Sequence, residues 1–150
     1  MNIFNIGTEA YSLTALKAFE IDSKCLAKDC WTLDQWNELL PLPYYDLFYY
    51  SSEGILSSFA LFSHIPGNSY VDLLKIGTCP SLERKGLAQV LLTNALQEYK
   101  TRAVDTVFLE VRLDNQKAIA FYVKMGFQED NLLRAYYSDG ADGLRMRLLV

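Results

Sequence analysis

Two cations and a glycine stand between a predicted strand and a predicted helix. Arg84 and Lys85 precede Gly86, and an apolar stripe with helical spacing follows up to Lys100. The first N–H groups of a helix lack partners within the helix and carry partial positive charge. Phosphate binds at such helix starts, and a glycine lets the backbone approach it closely. The segment predicts an anion-binding turn, although a plain strand-to-helix turn with exposed cations would look the same.

A carboxylate and a phenol form the second candidate group. Glu110 interrupts an apolar strand predicted from Thr106 to Val111, and Tyr122 lies in a helix predicted from Asn115 to Met125. Partial burial would raise the pKa of the carboxyl toward the range of a general base, and a phenol facing a cleft could donate a proton. The alternatives are a paired charge on an edge strand, a core tyrosine and, for Asn115, a simple helix cap.

The elements that must position these residues fall into two halves. The first half predicts a strand, two helices and three antiparallel strands, at residues 2–6, 8–21, 32–40, 47–51, 55–63 and 70–78. The first helix would be capped by Thr8 and the second by Thr32 or Asp34, and turns are predicted at 52–54 and 66–69. The second half alternates helix and strand, at 86–100, 106–111, 115–125, from 127 and at 144–150, with a polar loop over 131–142. This order predicts one α/β domain over residues 1–150, a mixed sheet with helices on its faces.

Composition excludes several classes of protein. The 150 residues are 51% hydrophobic and 21% charged with a net charge of −4, which fits neither a disordered chain nor a typical nucleic-acid binder. No apolar run reaches the roughly 18 residues of a membrane span, and the N-terminus lacks the features of an export signal. Three cysteines and a single histidine, His64, support neither a disulfide framework nor a zinc site. We therefore expect a cytoplasmic protein without a membrane or nucleic-acid partner.

The anion-binding turn and the acid–phenol segment together resemble the GNAT superfamily of acetyl-CoA-dependent N-acetyltransferases. The superfamily's Gln/Arg-x-x-Gly-x-Gly/Ala signature is matched by Glu83–Ala88. Leu109–Phe127 is similar to the RimI-like branch, which acetylates the N-terminal alanine of a ribosomal protein: a Leu-Glu-Val-Arg strand, an Asn and an Ala-Ile-Ala-x-Tyr helix that ends in Gly-Phe. Arg134–Tyr137 resembles that branch's Arg-x-Tyr-Tyr loop segment. The resemblance implies the GNAT acyl-CoA N-acyltransferase fold, a mixed, mostly antiparallel sheet with helices on both faces and a splay between the fourth and fifth strands.

The resemblance also implies a role for each matching residue. Glu110 corresponds to the general base and Tyr122 to the general acid near the coenzyme sulfur, with no metal. Glu83 replaces the usual Gln or Arg, and we expect it to point outward while backbone amides bind the diphosphate. The residues expected to bind acetyl-CoA, as cosubstrate, are Ile76, Gly77, Thr78, Arg84, Lys85, Gly86, Leu87, Ala88, Gln89 and Asn115.

The acceptor is expected between two loops, at 41–46 and 131–142. These loops carry four tyrosines and two carboxylates: Tyr44, Tyr45, Tyr136, Tyr137, Asp46 and Asp139. Aromatic walls with carboxylates suit an extended peptide with a cationic amine, such as the N-terminus of a ribosomal protein. A small amine such as a polyamine or aminoglycoside is the alternative acceptor. A non-catalytic domain that binds coenzyme or a partner protein is the alternative function.

Overall fold

The computed structural model describes residues 2–4, 11–52 and 55–150. Its helices and strands, in chain order, are β1 (Asn2–Phe4), α1 (Tyr11–Leu26), α2 (Leu33–Leu39), β2 (Tyr45–Ser52), β3 (Ile55–Ser63), β4 (Tyr70–Thr78), α3 (Leu87–Thr101), β5 (Thr106–Arg112), α4 (Gln116–Lys124), β6 (Gln128–Leu133) and β7 (Gly143–Leu149). Single 3-10 turns lie at Ala27–Asp29 and Pro80–Leu82. Within these residues the strands form one sheet in the order β1-β2-β3-β4-β5-β7-β6.

The sheet is antiparallel at every junction of the described strands except between β4 and β5. A parallel junction needs a crossover connection, which α3 provides here. The parallel ladder pairs Tyr70–Leu73 with Thr106–Leu109 and then stops. Beyond it, β4 continues beside β3 to Thr78, and β5 continues beside β7 to Arg112. The two strands therefore splay apart, as the family resemblance implies.

Helices cover both faces of the sheet because the strands alternate their apolar residues between two cores. On β3, Phe59 and Leu61 pack with α1, α2 and the fully buried Trp36, which defines the α1 face. Ala60 and Phe62 pack with α3 and α4, which defines the α3 face. Burying one large apolar side chain contributes about 1.5–3 kcal/mol, so the core on each face stabilises the packing of its helices on the sheet. The predicted mixed α/β class is confirmed.

Capping side chains fix two of the helix starts. Thr32 accepts a hydrogen bond from the Gln35 backbone N–H at 3.2 Å, and the Gln35 side chain accepts one from the Thr32 N–H at 2.8 Å. This reciprocal pair selects Thr32 rather than Asp34 as the cap of α2. Asn115 caps α4 by accepting from the Ala118 N–H at 3.1 Å.

Two predicted boundaries differ from the structure. Helix α1 runs to Leu26, five residues beyond the predicted end at Ile21, because its last turns pack against β4. The predicted loop over 131–142 is wrong at its start, since β6 reaches Leu133. As an edge strand, β6 is mostly exposed and needs no apolar pattern. The predicted Thr8 cap and most of the predicted turn at 52–54 lie outside the described residues.

None of the helices in the described ranges is long and apolar enough to span a membrane. The assignment of residues 1–150 to a single domain stays a prediction.

Candidate active site

The splay leaves one edge of β4 free where the resemblance expects the coenzyme arm. Ile76, Gly77 and Thr78 pair with β3 through Ala60, Phe59 and Ser58 and have no partner in β5. Their backbone groups on the β5 side can therefore pair with an extended ligand, as a neighbouring strand would.

Close packing behind the free edge explains Gly77. A Cβ at this position would lie 2.9 Å from Cε1 of Phe59 and 3.0 Å from Cβ of Cys25, so a larger residue would push α1 away from β4. The Ser58 hydroxyl donates to the Gly77 carbonyl at 2.9 Å and lies 3.0 Å from the Thr78 hydroxyl. These contacts hold the end of β4 against β3.

The turn before α3 presents unpaired backbone donors. Arg84 and Gly86 have positive φ angles of 63° and 76°. Among the described residues, no backbone N–H from Arg84 to Gln89 donates a hydrogen bond, and the first helical bond runs from the Val90 N–H to the Gly86 carbonyl. The turn has the free amides and helix start that bind anions, and the exposed Arg84 and Lys85 add charge.

Glu83 does not oppose an anion at this turn. Its exposed carboxylate lies 3.4 Å from Nζ of Lys117 in the first turn of α4. The pair spans from the turn to the neighbouring helix and neutralises the carboxylate. This is the outward orientation expected for the residue that departs from the family signature.

Glu110 lies beyond the last β4–β5 pair, opposite Arg145 of β7. Val107, Leu109 and Val111 enter the core on the α3 face, so Glu110 points to the α1 face. Burial raises the pKa of its carboxyl, Arg145 lowers it, and Asp72 raises it further. The net shift is upward, toward the range of a general base at neutral pH.

Tyr122 belongs to the core on the α3 face, on the other side of the sheet from Glu110. Its ring lies 5.5 Å from that of Phe121 and 5.7 Å from that of Phe127. In the part of the chain described, its hydroxyl has no hydrogen-bonding partner, and it is not among the sealed polar atoms. Solvent therefore reaches the oxygen. Burial and the nearby Tyr137 raise the pKa of Tyr122 to about 12, so it holds its proton at neutral pH.

Tyr137 is the residue that neighbours both candidates. Glu110 raises the pKa of Tyr137, and Tyr137 in turn raises that of Tyr122. Its ring also lies 5.1 Å from the guanidinium carbon of Arg112. Glu110 and Tyr122 therefore lie on opposite faces of the sheet, and Tyr137 lies near both.

The loop that carries Tyr137 is fixed to the end of β5. Arg112 donates to Asp139 at 2.8 Å and to Asp114 at 3.2 Å. The ring of Tyr136 lies 5.2 Å from that of Tyr137 and packs against Gly143, where a Cβ would lie 3.1 Å from Cδ1 of Tyr136. Asp139, expected beside the acceptor, thus serves as an anchor of the loop at the mouth of the gap.

The predicted acceptor loop at 41–46 carries two tyrosines and one carboxylate, which have different surroundings. Tyr44 and Tyr45 are half-buried, and their rings lie 5.0 Å apart. In the sheet, Tyr45 of β2 pairs with Ser63 of β3, and Ser63 pairs with Asp72 of β4. Asp46 is 5% exposed, and its carboxylate accepts hydrogen bonds from Tyr99 and Arg102, each at 2.9 Å. The expectation that Asp46 faces the acceptor is therefore wrong, because this carboxylate is committed to an internal network.

Asn115 shows the contact that its alternative interpretation predicted. Its side-chain oxygen caps α4, which leaves the amide nitrogen for a ligand. His64 contacts a turn and the core in the described structure rather than a nucleophile. Its ring nitrogen lies 3.2 Å from the Asn68 carbonyl oxygen, and its ring lies 5.7 Å from that of Tyr99.

Two charged residues beside Glu110 were missed by the sequence analysis. Asp72 of β4 and Arg145 of β7 both act on the Glu110 carboxyl. In the sequence, each of these residues is a charge that alternates with apolar residues in a strand, as Glu110 does. This pattern does not show which strands are neighbours in the sheet.

Comparisons with known proteins agree with this geometry. The profile of the acetyltransferase (GNAT) family matches residues 9–127. Ribosomal protein bS18-alanine N-acetyltransferase of Salmonella typhimurium is 43% identical over 65 residues, 43% of this chain and 44% of that protein. The Escherichia coli K12 protein of the same name is 34% identical over 97 residues, 63% and 64% of the two chains. The matched segments thus span between about two fifths and two thirds of these relatives.

A solved structure extends the similarity over nearly the whole fold. The crystal structure of the ribosomal-protein-S18-alanine N-acetyltransferase from Escherichia coli superimposes with a TM-score of 0.84 at 28% identity, covering 99% of this chain and 93% of that one. Because the family profile matches well over half of its residues, the chain belongs to the acetyltransferase (GNAT) family, and its similarities lie with the RimI-like branch.

Proposed function

We propose that this protein transfers the acetyl group of acetyl-CoA to the α-amine at the N-terminus of a protein, a small-subunit ribosomal protein in the first instance. The observation that carries the proposal is the splay itself: β4 has a free strand edge, and the turn before α3 has free amides. Glu110 and Tyr122 lie on opposite faces of the sheet, which supports their roles as base and acid. Such an arrangement suits a thioester that passes through the sheet with an acceptor on its far side.

The cosubstrate fits the residues present. Ile76–Thr78 offers backbone groups to an amide-bearing arm, and the amides from Arg84 to Gln89 face an anion with the charges of Arg84 and Lys85 beside them. The amide nitrogen of Asn115 is available for a further contact. Acetyl-CoA supplies the activated acetyl carbonyl when bound.

Two residues of the chain would move the protons. Glu110, directly or through water, accepts the proton that the amine nitrogen loses as its bond to the acetyl carbon forms. Tyr122 donates its hydroxyl proton to the sulfur as the carbon–sulfur bond breaks. Each such transfer typically contributes about 10²–10⁴-fold, and positioning of the two reactants adds to it. A free α-amine has a pKa near 8, so much of it is already neutral at cytoplasmic pH.

The acceptor side favours a peptide N-terminus. Each of the two loops carries a packed pair of tyrosines, Tyr136 with Tyr137 and Tyr44 with Tyr45, and Glu110 adds a negative charge on the α1 face. An aromatic groove with a carboxylate suits an extended chain with a terminal ammonium. The relatives at 34–43% identity are named for an alanine of ribosomal protein bS18, which supports the same acceptor class and a cytoplasmic location.

The test is release of free CoA from acetyl-CoA with three kinds of acceptor. We expect turnover with a peptide that begins with the alanine of a small-subunit ribosomal protein, and none with the same peptide blocked at its N-terminus. Turnover of the blocked peptide through lysine, or of polyamines and aminoglycosides in preference to the peptide, would replace α-amine specificity by another acceptor. Binding of CoA without turnover of any amine would indicate a non-catalytic domain.

A further inference from the structure

Charged side chains continue across the α1 face beyond the proposed base. Asp72 of β4 pairs with Phe108 of β5, and Glu110 pairs with Arg145 of β7. Leu73, Leu109 and Met146, which alternate with them, are buried in the core on the α3 face. The four residues therefore share the face from which an acceptor would reach the gap.

Arg145 occupies the centre of this group. Its guanidinium carbon lies 4.2 Å from the centre of the Phe108 ring, and Nε lies 3.8 Å from Oδ2 of Asp130. In the described part of the chain, this Nε is the one sealed side-chain polar atom without a hydrogen-bonding partner. The guanidinium is thus positioned by the ring and by nearby carboxylates rather than consumed by one bidentate ion pair.

Two carboxylates on the α1 face, Asp72 and Glu110, act on this cation in addition to Asp130, which also lies 3.7 Å from Nε of Arg147. Burial raises the pKa of Asp72 and of Glu110, and Arg145 lowers both. The other groups that face Glu110 are Tyr137 of the loop before β7 and, two residues along its own strand, Arg112, which is bound to Asp114 and Asp139. With Arg112 already paired, the balance of charge at Glu110 is set by Asp72 and Arg145.

We propose that Asp72 is a second acceptor-binding residue, whose carboxylate and that of Glu110 hold the acceptor's ammonium group between them, while Arg145 is a positioning residue for both. This rests on the proposed function, because it takes Glu110 as the base. With the acceptor bound, the carboxylates of Asp72 and Glu110 face its ammonium group and Arg145, and the further carboxylate of Asp130 is balanced by Arg147. An amide at position 72 would keep the shape of the site and lose half of its attraction for the ammonium.

The first experiment follows the Glu110 carboxyl by NMR in the free protein labelled with ¹³C at glutamate. Asp72→Asn should lower the pKa of Glu110, because it removes a neighbouring negative charge. Arg145→Gln should raise it, and Arg145→Lys, which keeps the charge, should leave it near the wild-type value. Glu129→Gln, on the opposite face of the sheet beside Met146, is the control and should not move it. Shifts of the same sign in Asp72→Asn and Arg145→Gln, or none, would overturn the proposed coupling whether or not the protein is an enzyme.

The second experiment measures steady-state acetylation of an alanine-initiated peptide. Asp72→Asn should raise KM for the peptide about five- to tenfold, with KM for acetyl-CoA and kcat near wild type. A general structural defect would instead change all three. An unchanged peptide KM in Asp72→Asn, with Glu110→Gln inactive, would refute Asp72 as an acceptor-binding residue and leave the proposed function intact. Absence of wild-type turnover with every acceptor would refute both, and the NMR titration would then still decide the electrostatic coupling.

Discussion

Lys75 and Asp22 form an ion pair inside the protein, with Nζ 2.8 Å from each carboxylate oxygen. Asp22 is fully buried, and it also accepts hydrogen bonds from the Trp31 backbone and the Trp36 indole. Lys75 donates further to the Asp29 carbonyl at 2.8 Å. Lys75 is the second residue of β4 beyond its last pair with β5. The ion pair therefore holds α1 against the strand at the start of the splay.

Asp22→Asn should lower the free energy of unfolding by about 3–5 kcal/mol, because it leaves the Lys75 ammonium buried without its counter-charge. Urea denaturation of the purified variants measures this change. Glu38→Gln, at an exposed position of α2, is the control and should change stability by less than about 0.5 kcal/mol. Equal stability of the two variants would mean that the ion pair does not stabilise the fold.

The sequence predicted the elements of the second half well because each carries a local signal. The helical stripe after Gly86, the β-branched strand around Glu110 and the Asn115 cap are patterns within about a dozen residues. Lys75 and Asp22 are 53 positions apart, and no periodicity links them. The same holds for Asp46, whose partner Arg102 is 56 positions away and which looked like a loop carboxylate.

The roles of the candidate site residues stay a prediction, and their arrangement could not be read from the sequence. Glu110 and Tyr122 are recognisable from sequence because their neighbours are apolar. That they lie on opposite faces of the sheet depends on which residues of β5 are buried, and that Glu110 lies beyond the paired part of β4 depends on where the β4–β5 ladder stops. A β-bulge that shifts the register of β4 between Leu73 and Lys75 also changes which residues face α1. These relations arise from strand pairing, so single-strand patterns cannot supply them.

Gly86→Ala should weaken CoA binding more than it weakens the fold. A Cβ at Gly86 would meet nothing within 4 Å, so the stability cost is the left-handed backbone alone, about 1–2 kcal/mol. A bound diphosphate that approaches this backbone would meet the added methyl group. Calorimetric titration with CoA measures the affinity, and urea denaturation measures the fold.

The matched control for Gly86→Ala is Gly67→Ala in the turn between β3 and β4. Gly67 has a φ of 91° and equally open surroundings, so it carries the same backbone cost. The Gly67→Ala variant should bind CoA with the affinity of the wild type. Equal CoA affinities in the two variants would place the diphosphate elsewhere.

Tyr122→Phe should lower kcat by about 10²–10⁴-fold while leaving stability nearly unchanged. The hydroxyl makes no hydrogen bond with the described residues, so its removal costs the fold no interaction. Tyr70→Phe, at an exposed tyrosine of β4 outside the two tyrosine pairs, should retain kcat and is the comparison for loss of a phenol. A Tyr122→Phe enzyme with wild-type kcat would mean that another group, or water, protonates the leaving sulfur.

Glu110→Gln should lower kcat and, at higher pH, raise the free energy of unfolding. The pKa of Glu110 is raised in the folded protein, so folding favours its protonated form. The stabilisation from this carboxyl is complete below its ordinary pKa and is lost as the pH rises through the raised value.

Glutamine resembles the protonated form at every pH. The variant should therefore gain stability relative to the wild type as the pH rises above the ordinary carboxyl value of about 4.5, while kcat falls about 10²–10⁴-fold. Denaturation curves over this range measure the difference, and Glu129→Gln, whose exposed carboxylate lies on the other face, should keep full activity. A stability difference that shrinks as the pH rises would mean that the folded protein favours the carboxylate, opposite to what its burial beside Asp72 implies.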